Sequence, residues 1–351
     1  MITNVVKIFL PATIAFVFGI AITPLFSHYF YKYRLWKKVP KGHKEKDPMT
    51  EAFTKIHNQK EETSTPRVGG IIIWFSVFIT VMLIWIVSMF FPTDSLTKLN
   101  FLSRNQTILP FFSLIIASII GLLDDLLVVY GNGAEEVDGI SRKDRILAVI
   151  AIGLVGAWWF YVKLGVTSIV IPFVGAVNIG LFFIPVFVIV MLATFSGSII
   201  DGVDGLSGGV MASAFGAYAT IAFVHNQVDI AAFCTVIVGA ILAFLWFNIP
   251  PARFYMGETG MLGLTVTLSI IAFLTNAVLI LPIIAFPLVM TSGSVMVQKA
   301  SERIYGKKFF LVSPLHHHFE ARGWSRPKIV MRYWVISIIF AVIGIMLALI
   351  S

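Results

Sequence analysis

Apolar runs at residues 71–91, 111–127, 146–162, 180–193 and 330–350 constrain this chain more than anything else in it. A hydrocarbon layer of about 30 Å is crossed by roughly 20 helical residues, and each run reaches or approaches that length. The runs lack the period-two alternation of barrel strands, so the spanning elements are helices, the form that satisfies every backbone polar group within one segment. Composition agrees: 58% of residues are hydrophobic and 13% charged, against about 25% charged in soluble domains.

The reading is an all-α polytopic membrane protein forming a single unit over residues 1–351, with about ten transmembrane helices. They fall near residues 5–30, 69–91, 108–127, 146–163, 178–194, 208–225, 229–248, 260–276, 277–297 and 329–350. The first is longer than a signal-peptide core and is expected to be retained. Residues 165–176, β-branched and rich in turn formers, suggest a short outer hairpin.

Sidedness follows from the excess of lysine and arginine in cytoplasmic loops. With the N-terminus outside, 22 of the 26 cationic residues fall inside, and only Lys7, Lys98, Arg104 and Lys163 fall outside. An even number of spans places both termini outside. The cytoplasmic loops are then about 31–67, 128–145, 195–207, 249–259 and 298–328, none long enough to fold alone. The net charge of +8 reads as topology and attraction to anionic membrane lipid, and the basic run 32–46 as either surface binding or a topology signal. There is no aromatic and basic platform, hence no nucleic acid partner is expected. The single cysteine, Cys234, is expected to be inert packing.

Ionisable groups that interrupt the apolar pattern all fall on the cytoplasmic side of this topology. Asp124 and Asp125 lie in "GLLDDLLVVYG", Asp201 and Asp204 in "SIIDGVDGLSGG", and Glu258 in "FNIPPARFYMGETGMLGL". Acids at membrane depth are costly and mark functional sites. Adjacent Asp124 and Asp125 diverge by about 100° on a helix, which leaves one for the site and one for another role, whereas Asp201 and Asp204 share a face if their turn is helical. Hard carboxylate oxygens suit Mg²⁺ or Mn²⁺ completed by substrate phosphates. Taken singly, each motif has a plainer reading as a solvated helix end or a turn-rich linker; their coincidence on one face favours a phosphate-handling centre.

The segment "SPLHHHFEARGW" places His316, His317 and His318 in succession. Consecutive side chains diverge too far to chelate one ion, and there is no cysteine partner or H-E-x-x-H spacing for zinc. Phosphate or sugar recognition by ring N–H groups fits better.

Together, "SPLHHHFEARGW", "PKIVMRYW", the paired aspartates, "DGVDGL" and "FN..PA..YMGETG" resemble the phospho-N-acetylmuramoyl-pentapeptide transferases, within the polyprenyl-phosphate N-acetylhexosamine-1-phosphate transferases. The likeness runs over nearly the whole chain. The histidine segment is its specific part, since sister enzymes using other sugar nucleotides usually carry a different one. The resemblance implies transfer of phospho-MurNAc-pentapeptide from UDP-MurNAc-pentapeptide to undecaprenyl phosphate, giving lipid I and UMP with Mg²⁺, in a bacterial inner membrane. It alone suggests a homodimer. It also implies that Asp124 and Asp125 orient the lipid phosphate, that Asp201 and Glu258 hold the metal, and that Gly202, Val203 and Asp204 approach the uracil. Asn248 corresponds to a site asparagine, His316 to His318 lie near the sugar and phosphates, and Lys143 in "GISRKDR" is a looser match for a diphosphate contact.

Departures are present. Glu258 stands where an aspartate is usual, Phe195 and Ser198 where asparagines are, Met261 where a serine is, and "TSTPRVGG" replaces "GTPTMGG", with Glu61 and Glu62 separating it from Lys60. Two alternatives therefore stay open: a sister transferase using another UDP-N-acetylhexosamine, and a weakly active homologue that binds lipid or a partner.

Overall fold

The computed structural model describes residues 2–37, 63–103, 106–131 and 139–350. Most of the basic run 32–46, and Lys60, Glu61, Glu62 and Arg104, lie outside them. The chain is a helical bundle: α1 (Ile2–Lys32), α2 (Ile71–Phe90), the short α3 (Asp94–Leu99), α4 (Ile108–Tyr130), α5 (Arg142–Trp158), α6 (Phe183–Ser196), α7 (Leu206–Val224), α8 (Val228–Asn248), α9 (Gly257–Leu274), α10 (Leu281–Ile284), α11 (Phe286–Tyr305), α12 (Leu315–Ala321) and α13 (Arg326–Ile350). Among the described residues nine helices are long and apolar enough to span a membrane. The expected hairpin is present as β1 (Ser168–Ile171) antiparallel to β2 (Gly175–Asn178), with Ile169 opposite Val177.

The expected span at 277–297 is not a straight helix. Residues Val278–Ile284 and Phe286–Tyr305 meet at 80°. Pro287, at the start of α11, favours the break: it has no amide hydrogen to continue the earlier helix, and its ring crowds the carbonyl four residues earlier, although Pro11 and Pro24 are carried inside α1. Counted as one bent span, this pair makes the tenth.

Helix α9 forms the axis. Of its most apolar stretch 94% is buried, against 22% for α1 and 28% for α13, which turn apolar faces outward. An axial helix with no water on any side must satisfy its own polar groups. The hydroxyls of Thr265, Thr267 and Ser269 do so by donating to the carbonyls of Met261, Gly263 and Thr265 at 2.7–3.0 Å. Cys234, buried in α8, is packing as expected.

Small residues let α4 lie directly on α9. A Cβ on Gly121 would collide with the carbonyl of Glu258, and one on Gly263 with the Ser118 hydroxyl. Close backbone approach through small residues is the usual substitute for a hydrophobic driving force inside a bilayer. The crossing sets the acids of α4 against the first turn of α9. Gly121→Ala should therefore destabilise the protein by about 1–3 kcal/mol, as overpacking does. Gly216→Ala, where nothing lies within 4 Å of the added carbon, should leave the melting temperature in detergent unchanged or slightly higher.

Candidate active site

Five carboxylates gather at one end of the bundle, and their hydrogen bonds tie together loops far apart in sequence. Asp125 accepts from the Thr259 amide at 2.8 Å and from its hydroxyl at 2.7 Å. Asp124, turned away as helical geometry requires, accepts from the Ile140 amide at 2.5 Å and from Arg145 Nη1 at 3.3 Å. The same Arg145 nitrogen reaches Glu258 Oε1 at 3.1 Å. One guanidinium thus spans α4 and α9.

The expectation that Asp201 and Asp204 share a helical face is not met. A 3₁₀ turn ends at Ile200, Asp201 has φ −75° and ψ 62°, and helix resumes only at Leu206 after Gly205 with φ +78°. Glycines at 202 and 205 favour this turn over a helix. Asp201 instead accepts from the Ser207 hydroxyl at 2.7 Å and the Gly257 amide at 2.9 Å. Asp204 accepts from the Ala252 amide at 3.2 Å. Burial pushes the Asp201 carboxyl above the usual range despite its hydrogen bonds and the nearby charge of Arg67, so an added cation would stabilise its charged form.

Asn248 is buried and bonded through both atoms of its amide. Its oxygen accepts from the Gly205 amide at 2.9 Å, and its nitrogen donates to the Phe254 carbonyl at 2.8 Å. It clamps the 201–205 turn to the 249–256 loop, which is the role its geometry displays.

The histidines divide. In α12, the rings of His316 and His317 lie 4.3 Å apart with their planes tilted by 60° and close on Gly202, where an added Cβ would lie 2.6 Å from His316 Nε2 and 3.1 Å from His317 Nε2. Gly202 is thereby set against His316 and His317, and a side chain at 202 would push their rings aside. His318 turns away: its Nδ1 accepts from the Leu311 amide at 3.2 Å, and its ring meets Phe310 edge-on. Burial, aided by Arg322, lowers its pKa. It belongs to the frame of the 306–314 loop and not to the acidic cluster.

Lys143 is exposed on the first turn of α5, and Arg145 takes the inward position instead. The signal was in "SRKD": Ser141 caps the helix, accepting from the Asp144 amide at 3.2 Å and donating to the Asp144 carboxylate at 2.7 Å. That cap fixes the helix phase, and residues 143 and 145 then point about 200° apart. Arg67, Ser207, Thr259 and Glu320 are also at the site, although the sequence assigns none of them a role there. Each lies inside one of the quoted segments, but nothing local marks it out from its neighbours there.

Among the described residues no group of three or more His, Cys, Asp or Glu side chains is arranged to hold a metal ion. Two carboxylate oxygens, Asp125 Oδ1 and Glu258 Oε2, are nevertheless buried with no hydrogen-bond partner. Such oxygens fit a cation that takes only one or two protein carboxylates and completes its shell with phosphate and water.

Glu320 fixes His317. Its Oε2 lies 3.1 Å from His317 Nδ1, and its Oε1 accepts from Arg326 Nε at 2.7 Å. Burial alone would raise the Glu320 carboxyl, but hydrogen bonds from His317 and Arg326, with their charges, outweigh it and hold it below the usual range. A depressed acid contributes stability above its unfolded value, near 4.5, and loses it as pH falls through the folded value. Glu320→Gln should thus lower the melting temperature at pH 7, with the gap from the parent shrinking below about pH 4.5.

Residues 107–276 match glycosyl transferase family 4. A phospho-N-acetylmuramoyl-pentapeptide-transferase of Geobacillus sp. (strain WCH70) is 32% identical over 335 residues, covering 95% of each chain. The transferase of that name from Chloroflexus aurantiacus (strain ATCC 29366 / DSM 635 / J-10-fl) is 34% identical over 303 residues, 82% of this chain and 78% of its own. That from Chloroflexus aggregans is 30% identical, covering all of this chain and 92% of its own. With the carboxylates, the paired histidines and the helical bundle in place, the chain belongs to the phospho-N-acetylmuramoyl-pentapeptide-transferase family.

Proposed function

We propose that this phosphoglycosyl transferase moves phospho-MurNAc-pentapeptide from UDP-MurNAc-pentapeptide to undecaprenyl phosphate at the cytoplasmic face of a bacterial membrane. The products are lipid I and UMP. The observation that carries the proposal is the meeting of Asp124, Asp125, Asp201, Asp204 and Glu258 with His316 and His317 at one end of the bundle, within a chain whose relatives of that name match it almost end to end. The sister-enzyme and binding-protein alternatives have no comparable support.

A membrane-surface site must bring a water-soluble diphosphate to a lipid phosphate. In one step, an oxygen of the lipid phosphate attacks the β-phosphorus, the bond from β-phosphorus to the bridging oxygen breaks, and UMP leaves with that oxygen. A phosphate monoester is already largely ionised at neutral pH, so Asp124 and Asp125 orient the acceptor and need not remove its proton. Magnesium, or manganese, supplies charge neutralisation between the two anions when bound. Glu258, with its unpartnered oxygen, and Asp201 are the residues that would hold it.

Arg145, bonded to both, ties Asp124 to Glu258. His316 and His317 turn their Nε2 atoms toward the Gly202 turn, where the sugar and phosphates would lie. Positioning and preorganised charge supply most of the rate. Nothing in the described contacts replaces the asparagines absent at Phe195 and Ser198.

Asp201→Asn should reduce lipid I formation at least about 100-fold while the purified protein keeps its melting behaviour. Full activity in that variant contradicts the metal role. Glu258→Asp, which withdraws the carboxylate from Arg145, should lower turnover about tenfold or more, read as UMP release under saturating substrates.

A further inference from the structure

Arg67 and Arg145 approach the same acids in different ways. Arg145 is committed, bonding Asp124 at 3.3 Å and Glu258 at 3.1 Å. The guanidinium of Arg67 lies within electrostatic reach of Asp124, Asp125 and Asp201. It forms no ion pair with any of them, and its Nε is buried without a hydrogen-bond partner.

Its backbone is not free to drift. The Arg67 amide donates to the Leu35 carbonyl at 3.0 Å, the Tyr255 amide to the Pro66 carbonyl at 2.8 Å, and the amides of Gly69 and Gly70 to the carbonyls of Tyr255 and Met256 at 2.9 Å each. This ladder pins residues 66–70 along the loop that enters α9. At its end Gly257, with φ +67°, touches both the Arg67 carbonyl and the Asp125 carboxylate, and a Cβ there would collide with each. Arg67 is therefore held at the rim of the cluster with its Nε unbonded.

A counter-ion would be bonded to a carboxylate, as Arg145 is. A half-buried guanidinium held beside acids but paired with none has been desolvated without compensation, and what compensates it is an arriving anion that its planar fork of donors can grip. It also offsets the repulsion that the acids exert on such an anion. Resting on the transfer reading above, we propose that Arg67, part of the departure "TSTPRVGG", is a substrate-binding residue that grips a phosphate of one of the two substrates. The phosphate is either the donor's diphosphate or the lipid's monoester.

The test is steady-state UMP release by the full chain in detergent, with each substrate varied in turn, for the parent, Arg67→Met and Arg67→Lys. Loss of a charged hydrogen-bond donor should raise the KM of one substrate about tenfold or more in Arg67→Met and leave the other within about threefold. Lysine, a point charge without the fork, should recover part of the loss. The substrate whose KM moves identifies the phosphate. Unchanged KM values for both in Arg67→Met, or faster turnover at low magnesium, would overturn the proposal and make Arg67 a counter-charge of the acids. If the parent turns nothing over, the transfer reading fails by itself, and calorimetric binding of UDP-MurNAc-pentapeptide and of undecaprenyl phosphate decides for Arg67. Weaker binding of either to Arg67→Met than to the parent sustains the proposal, and equal or absent binding overturns it.

Discussion

Everything at this site depends on the contact of α4 with α9. Because Gly121 and Gly263 remove side chains from the crossing, the helices approach until Asp125 accepts both the amide and the hydroxyl of Thr259. That bond satisfies an amide at the start of α9 and places a carboxylate at the positive end of the helix. It also fixes Gly257 and Glu258, to which Asp201 and Arg145 are then bonded. A single close crossing thus organises acids drawn from three separate stretches of chain.

The energetics explain why the acids are so thoroughly bonded. A buried carboxylate without partners would give up its charge, so each must accept hydrogen bonds or sit beside a cation. Asp124, Asp125, Asp201 and Asp204 all accept from backbone amides. The oxygens left without partners, on Asp125 and Glu258, mark where the protein alone does not complete the arrangement. A preorganised site of this kind places its charges before substrate arrives, which is how fixed polar groups lower a barrier.

Much of this was legible in the sequence because hydropathy and charge are nearly decisive for a membrane protein. Span positions, the hairpin, the divergence of Asp124 from Asp125 and the grouping of the acids were all readable from residue order. Four things were not. The bend at Ala285 depends on Pro287, and proline within an apolar run is tolerated in many spans as a mere kink. The turn at 201–205, readable only as the plainer alternative to a helical turn, is held by Ser207 in the same motif and by Gly257 and Asn248, which are remote from it. The choice of Arg145 over Lys143 depended on helix phase, which the Ser141 cap sets within one residue. His318 was grouped with its neighbours by adjacency alone, and a helix separates adjacent side chains by about 100°.

The central claim is that these groups transfer a muramyl phosphate onto a lipid phosphate with a divalent metal. It is tested most directly by UMP release from the purified parent protein in detergent with undecaprenyl phosphate, comparing UDP-MurNAc-pentapeptide with UDP-GlcNAc, each with magnesium and with chelator. The account predicts turnover on the muramyl donor alone, abolished by chelator and restored by magnesium. Turnover confined to UDP-GlcNAc, or none with either donor from a folded protein, would contradict it.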